Sequence, residues 1–160
     1  MASEAEGAAT IGGRRLIFKL AEEEYGLDVL RVKEVLDSLE ITTVPRAPGF
    51  IKGVVNFRGK VIPVIDLRLQ FGLDAREEGQ PSHLIIVEID HQGETAPLGL
   101  DVDSVSQVLD IEAKDVTPAP STRTSLDAAY IQGRVKSGER VSTLLDIDKV
   151  LGDALTDASA

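Results

Sequence analysis

Hydrophobic and polar positions along this chain follow the two-residue period of strands more often than the period of helices. Leu16–Leu20 (LIFKL) is a short apolar and aromatic run that predicts a strand. Tyr25, Leu27 and Val29 alternate with polar or small residues, as one face of a half-buried strand does. Val32, Val35 and Leu36 fall at i, i+3 and i+4. That spacing also fits a helix, but valines favour the pleated state, so the reading is a strand after a bend. Pro45 and Pro48 in VPRAPGF break regular structure. Ile51–Asn56 and Lys60–Ile65 read as two strands joined through Phe57-Arg58-Gly59, with Gly59 supplying the positive φ of a tight hairpin. Asp66 is the expected N-cap of a short helix that Gly72 ends. PSHLIIVEID predicts a further strand, HQGE a turn and APLGLDVDSVSQVLD more strand.

The pattern is written twice. GLDVLRVKEVLD (Gly26–Asp37) and GLDVDSVSQVLD (Gly99–Asp110) agree at eight of twelve positions with an offset of 73, and Pro118 matches Pro45 at the same offset. Further on, Ile51, Gly53, Val55, Val61, Asp66 and Gly72 recur as Ile131, Gly133, Val135, Val141, Asp146 and Gly152 at an offset of 80. The longer loop Thr117–Ala129 accommodates the difference, as surface loops do. The chain therefore reads as mainly β, two tandem units of roughly 70 residues, each too small for a thick core and each best closed as a small barrel. Unit one spans about 22–75 and unit two about 82–152, within a folded body of 16–152. The first strand, LIFKL, is a candidate for exchange into the second unit. Residues 1–15 and 153–160 read as tails, the first acidic, rich in small residues and expected to be disordered.

Composition removes several functions. Cysteine is absent, so disulfides, thiolate nucleophiles and Cys-based metal sites are out. The net charge of −10 opposes nucleic-acid binding, and no apolar run is long enough for a membrane span. His83 and His91 lack partners at ligand spacing, no phosphate-cradling glycine motif occurs, and no serine sits in a GxSxG elbow. Asp101 and Asp103 suggest a carboxylate pair, but Asp101 repeats Asp28, so it reads as a hydrogen-bonding residue at a turn or strand end. Asp66 and Asp146 read as helix N-caps and Glu22–Glu24 as a solvated turn. No catalytic residue, metal site or cofactor is expected; a barrel enzyme or ligand carrier would need a concave pocket with perturbed titratable groups.

Charge is uneven: Arg46, Lys52, Arg58, Lys60 and Arg68 stand against Asp66 alone. This basic stretch suits an acidic partner, and its plainer reading is solvated strand edges, Lys60 and Arg68 above all. Where the repeats part, Glu34 becomes Gln107 and the turn NFRG becomes KSGE. An acid and a base thus vanish together, which predicts that Glu34 and Arg58 pair across neighbouring strands.

Val32-x-Glu34-Val35, Pro45-x-x-Pro48, Gly53-Val54-x-Asn56-x-Arg58-Gly59 and Pro63-Val64-Ile65-Asp66-Leu67 together resemble the CheW family of chemotaxis adaptors, over Leu16–Leu151. Phe57 stands where that family more often has Leu. The resemblance implies two SH3-like five-stranded barrels with short helices, and a non-enzymatic cytoplasmic role at receptor arrays on the inner membrane face. It implies two partners, the cytoplasmic tip of chemoreceptors and the regulatory domain of the histidine kinase CheA. It places Val32, Glu34, Gly53, Asn56 and Arg58 at positions tied to receptor binding or to the integrity of that surface, and makes Thr117–Ala129 a candidate kinase contact. The alternative is a same-fold adaptor in a pathway controlling type IV pili or gene expression.

Overall fold

The computed structural model describes residues 13–37, 41–43, 51–74, 80, 82–91, 93–117, 130–137 and 139–152. In chain order the strands are β1 (Gly13–Leu20), β2 (Glu23–Asp28), β3 (Val32–Asp37), β4 (Thr42–Thr43), β5 (Ile51–Phe57) and β6 (Lys60–Asp66). They continue as β7 (His83–His91), β8 (Glu94–Val102), β9 (Ser104–Ile111), β10 (Val116–Thr117), β11 (Ile131–Ser137) and β12 (Arg140–Leu145). Helix α1 is Leu67–Gln70, and a second short helix, α2, covers residues 147–152. Pro45, Pro48, most of the Thr117–Ala129 loop and the tails 1–12 and 153–160 lie outside the described residues.

Two six-stranded sheets form, ordered β3-β7-β8-β6-β5-β4 and β9-β1-β2-β12-β11-β10. In each, five long strands make an SH3-like barrel and the sixth is a two-residue edge strand. The orders match position by position under the sequence repeat. They also show that neither barrel is contiguous in sequence. Barrel one consists of β3–β6 with the hairpin β7–β8 from the second repeat, and barrel two of β9–β12 with β1–β2 from the first. The boundaries 22–75 and 82–152 therefore do not describe barrels. Exchange involves a whole hairpin, in both directions, rather than the first strand alone. Each guest hairpin is held by antiparallel pairing on one side (β7 with β3, β1 with β9) and parallel pairing on the other (β8 with β6, β2 with β12).

Exchange explains the hydrophobic pattern. The guest strands are walls shared between a barrel interior and a central core, so β7 is apolar on both faces. Leu84 and Ile86 join Val55, Ile62 and Val64 inside barrel one. Ile85, Val87 and Ile89 instead face the central core, with Leu16, Phe18 and Leu20 of β1 and Leu98 and Leu100 of β8. The recurring Gly26 and Gly99 allow this close approach. A Cβ at Gly26 would lie 3.0 Å from both Ile17 and Leu144, and one at Gly99 would lie 2.9 Å from Leu84.

Several elements start where charged residues suggested otherwise. β1 begins at Gly13, so residues 13–15 belong to the strand and not to a tail; Arg15 is buried, 3.7 Å from Asp28 and 3.4 Å from the Gln132 side-chain oxygen. The turn after β1 is only Ala21–Glu22. Glu23 and Glu24 lie in β2, and the Glu24 carboxylate is buried, accepting from Arg140 at 3.2 Å and from the Ser142 hydroxyl at 3.4 Å. Between β2 and β3 a single 3-10 turn, Val29–Arg31, makes the bend, so Val29 falls outside the strand pattern.

The helices are set by caps. Asp66 accepts from the Leu69 N–H at 3.3 Å, and Asp146 accepts from the Lys149 N–H at the same distance. Gly72 adopts φ 76°, and Leu73 N–H bonds Arg68 O while Gly72 N–H bonds Leu69 O, the two bonds of a Schellman stop.

Tyr25 stacks on Phe18 at 5.8 Å and tilts against Phe71 at 5.5 Å. Burial, with help from the Glu23 charge, pushes its phenol up to about 12. The folded state therefore keeps the proton better than the unfolded chain, whose tyrosines titrate near 10. This contribution is fully present below pH 10 and is lost as pH rises from about 10 to 12, amounting to about 2–3 kcal/mol. Melting temperatures between pH 9 and 12 are expected to fall more steeply for the natural protein than for Tyr25→Phe. Parallel curves would show that the phenol ionises without unfolding.

A charged barrel mouth as candidate functional site

The β5–β6 hairpin turns through Arg58 and Gly59, both at positive φ (52° and 82°), as a two-residue hairpin of the primed kind requires. Sequence reading assigned that conformation to Gly59 alone. Holding Arg58 in the left-handed region lays its guanidinium over the Phe57 ring, 4.9 Å from the centroid. The same hairpin turns Val55, Phe57, Ile62 and Val64 inward and leaves Asn56 and its partner Val61 exposed.

Glu34 approaches from the far side. Its carboxylate lies 3.8 Å from Arg58, with the side chains 41% and 76% exposed. The expected pair therefore exists, but not between neighbours. Strands β7 and β8 separate β3 from β6, and the curl of the barrel brings its rims together across them. At this wet separation the pair contributes about 0–1 kcal/mol.

Beneath the pair is a cavity of about 290 Å³ at the open end of barrel one. Phe57, Ile62, Ile86 and Pro97 form its apolar floor, with Lys33, Arg58, Lys60, Glu88 and Thr95 around it. Lys33 reaches Glu88 at 2.7 Å. Strand β3 shifts register between Val32 and Glu34, a bulge at Lys33. A bulge leaves no trace in period-two reading, so Lys33 was not singled out, and Glu88, Thr95 and Pro97 come from a hairpin assigned to the other unit.

The remaining sequence-selected positions stand back from the mouth. Val32 is partly buried against the central core. Gly53 is buried where β4 crosses β5, and a Cβ there would sit 2.1 Å from the Thr42 carbonyl oxygen. The structure thus brings Glu34 and Arg58 together at one rim, leaves Asn56 exposed on the strand that leads to Arg58, and sets Val32 and Gly53 back from the rim. Two of the basic residues are partly buried in ion pairs. Lys52 is 2.6 Å from the fully buried Asp101, and Arg68 grips Asp103 through Nε at 2.8 Å and a terminal nitrogen at 2.7 Å. Arg68 is therefore not a solvated edge; its side chain is 14% exposed, and the bond to Asp103 raises its pKa.

The equivalent mouth of barrel two has the opposite character. Its cavity of about 350 Å³ is lined by Glu22, Glu23, Glu24 and Glu139 with Lys19, Arg140 and Val141. Lys60 and Val61 correspond to Arg140 and Val141. Among the described residues no group of three or more metal-binding side chains occurs, and no helix is long and apolar enough to cross a membrane.

Comparison with known proteins agrees with this architecture. A family model described as CheW-like domain matches residues 14–155. The chemotaxis protein CheW of Klebsiella aerogenes is 37% identical over 142 residues, covering 89% of this chain and 83% of that protein. The chemotaxis protein CheW of Rhizobium meliloti is 32% identical, covering 88% of this chain and 89% of its own length. The crystal structure of the scaffolding protein TtCheW from Thermoanaerobacter tengcongensis superposes with a TM-score of 0.72 at 37% identity, covering 88% of each chain. Double-barrel fold, repeat and motif set thus converge, and the chain belongs to the CheW-like domain family.

Proposed function

We propose that this chain is a non-catalytic scaffold that couples the cytoplasmic tip of chemoreceptors to the regulatory domain of the histidine kinase CheA, in arrays at the inner face of the membrane. The observation that carries the reading is the mouth of barrel one, an apolar floor under an exposed arginine held in place by backbone conformation and an aromatic ring. Such a rim suits a helical partner that brings acidic side chains and a narrow apolar stripe. Glu34, Asn56 and Arg58 are the contact residues, and Val32 and Gly53 hold the surface. The kinase domain belongs on a different surface. The contrast between a basic mouth and an acidic mouth supports end-to-end association with a kinase domain of the same fold, which the family resemblance implies.

Titration with a receptor cytoplasmic fragment and, separately, with the isolated kinase regulatory domain tests the assignment. Arg58→Glu is expected to weaken receptor binding by about ten-fold or more, because a like charge replaces a steering one. It should leave kinase binding and melting temperature nearly unchanged, since the side chain is 76% exposed. Unchanged receptor affinity, or an unfolded variant, removes Arg58 from the contact.

A further inference from the structure

The two halves of the chain, residues 13–74 and 82–152, meet through ion pairs of which all but one share a polarity among the described residues. Half one supplies the cation in Arg31–Asp148 (2.7 Å), Arg31–Asp90 (3.4 Å), Lys33–Glu88 (2.7 Å), Lys52–Asp101 (2.6 Å) and Arg68–Asp103 (2.7 Å). Among the described residues only Arg140–Glu24 runs the other way. The sequence carries the same bias, with 10 bases against 9 acids in half one and 6 against 12 in half two.

Equivalent places in the two barrels draw their cation from different elements at the base and carry inverted charges at the crossovers. At the base of barrel one the cation is Lys52 of β5, and β7 presents Leu84 opposite Asp101. At the base of barrel two β5's counterpart offers Gln132, and the cation comes from β1 as Arg15 opposite Asp28. At the crossover between β8 and β9 an acid, Asp103, reaches back to Arg68 on α1 and accepts the Ala21 N–H at 2.7 Å. At the crossover between β2 and β3 a base, Arg31, reaches Asp148 on α2, and Asp148 accepts the Asp90 N–H at 2.9 Å.

The symmetry of the two sheets means that, by backbone alone, either half could close on a second copy of itself. The charges oppose it. In a pair of half-one copies Arg31 would meet Arg68, which takes the place of Asp148. Lys33 would meet Lys19, which takes the place of Glu88, and Lys52 would join Arg15 against a single Asp28. In a pair of half-two copies Asp103 would meet Asp148, and Asp101 would be buried beside Leu84 and Gln132 in place of Lys52. Like charges brought together at an interface, and a carboxylate buried away from a base, each disfavour the wrong pairing.

We propose that this ion-pair set is a recognition code: Lys33, Lys52 and Arg68 of half one accept the acidic half-two hairpin and its crossover in the guest slot of barrel one, and Arg31, just after the half-one hairpin, directs that hairpin to Asp148 beside the guest slot of barrel two. The complete protein, nicked at a protease site introduced between residues 75 and 81, tests it. After unfolding and refolding, native mass spectrometry separates mixed pairs from self-pairs. Mixed pairs are expected to exceed either self-pair by about ten-fold or more. Arg31→Asp with Lys33→Glu should raise the half-one self-pair, because both residues then complement Arg68 and Lys19. Adding Asp148→Arg and Glu88→Lys should restore mixed pairing. Random pairing of the natural halves, or a variant that loses yield without changing the ratio, overturns the proposal. If refolding aggregates, the ratio is read on halves co-produced from one two-gene message, where absence of a mixed complex also overturns it.

Discussion

Gly53→Ala is expected to lower stability by at least about 3 kcal/mol, among the larger effects a single substitution causes. The added Cβ would lie 2.1 Å from the Thr42 carbonyl oxygen and 2.9 Å from the Thr42 carbonyl carbon and the Thr43 Cα. All three are backbone atoms, so no side chain can rotate away. β4 has only two residues and pairs with β5 there through Thr43 and Gly53. It must therefore detach if the methyl is to fit. Receptor binding should fall with stability, and a binding loss out of proportion to a small melting shift would give Gly53 a direct contact instead. The same substitution at Gly99 should cost less, because the obstructing atoms, Leu84 Cδ1 at 2.9 Å and Val64 Cγ2 at 3.1 Å from the added Cβ, belong to side chains.

Lys52→Met is expected to destabilise the protein by about 2–4 kcal/mol, and Lys52→Met with Asp101→Asn to recover most of that loss. Asp101 is fully buried, and the Lys52 ammonium approaches it at 2.6 Å from a side chain 33% exposed. Removing the base alone leaves a carboxylate without its counter-ion in a desolvated site. Removing both charges leaves an amide that can still hydrogen bond. The partial exposure of Lys52 lowers the expected figure below that of a wholly enclosed pair. Denaturant melts of the two single variants and the double variant measure the coupling, and additive effects would show that the pair is incidental.

Strand identity was legible wherever one face is buried, because alternation records it: LIFKL, the Lys60–Ile65 strand and the repeated GLD phrases all lie in strands. The caps Asp66 and Asp146 were legible because capping chemistry is local. Which barrel a strand joins was not. The repeat reports similarity between β2 and β8, and both contiguous and exchanged pairings satisfy that similarity. Arg15 and Glu24 were misplaced for a related reason. A charged residue reads as solvated until its partner is known, and their partners Gln132 and Arg140 lie more than a hundred residues away. At the candidate site, comparison of the repeats found Glu34 and Arg58 because the acid and the base disappear together. It did not single out Lys33, which a bulge brings to the same mouth.

Reciprocal exchange also dictates the order of events during synthesis. Barrel one lacks its two walls until β8 ends at Val102, and barrel two cannot close before β12 ends at Leu145. The N-terminal half therefore leaves the ribosome with unpaired strand edges and no finished domain to fold into. Sequence-distant pairing of this kind slows folding and leaves the growing chain exposed to aggregation and chaperone capture. Once complete, neither barrel can open without removing a wall from the other, so a single cooperative melting transition is expected despite the twofold architecture.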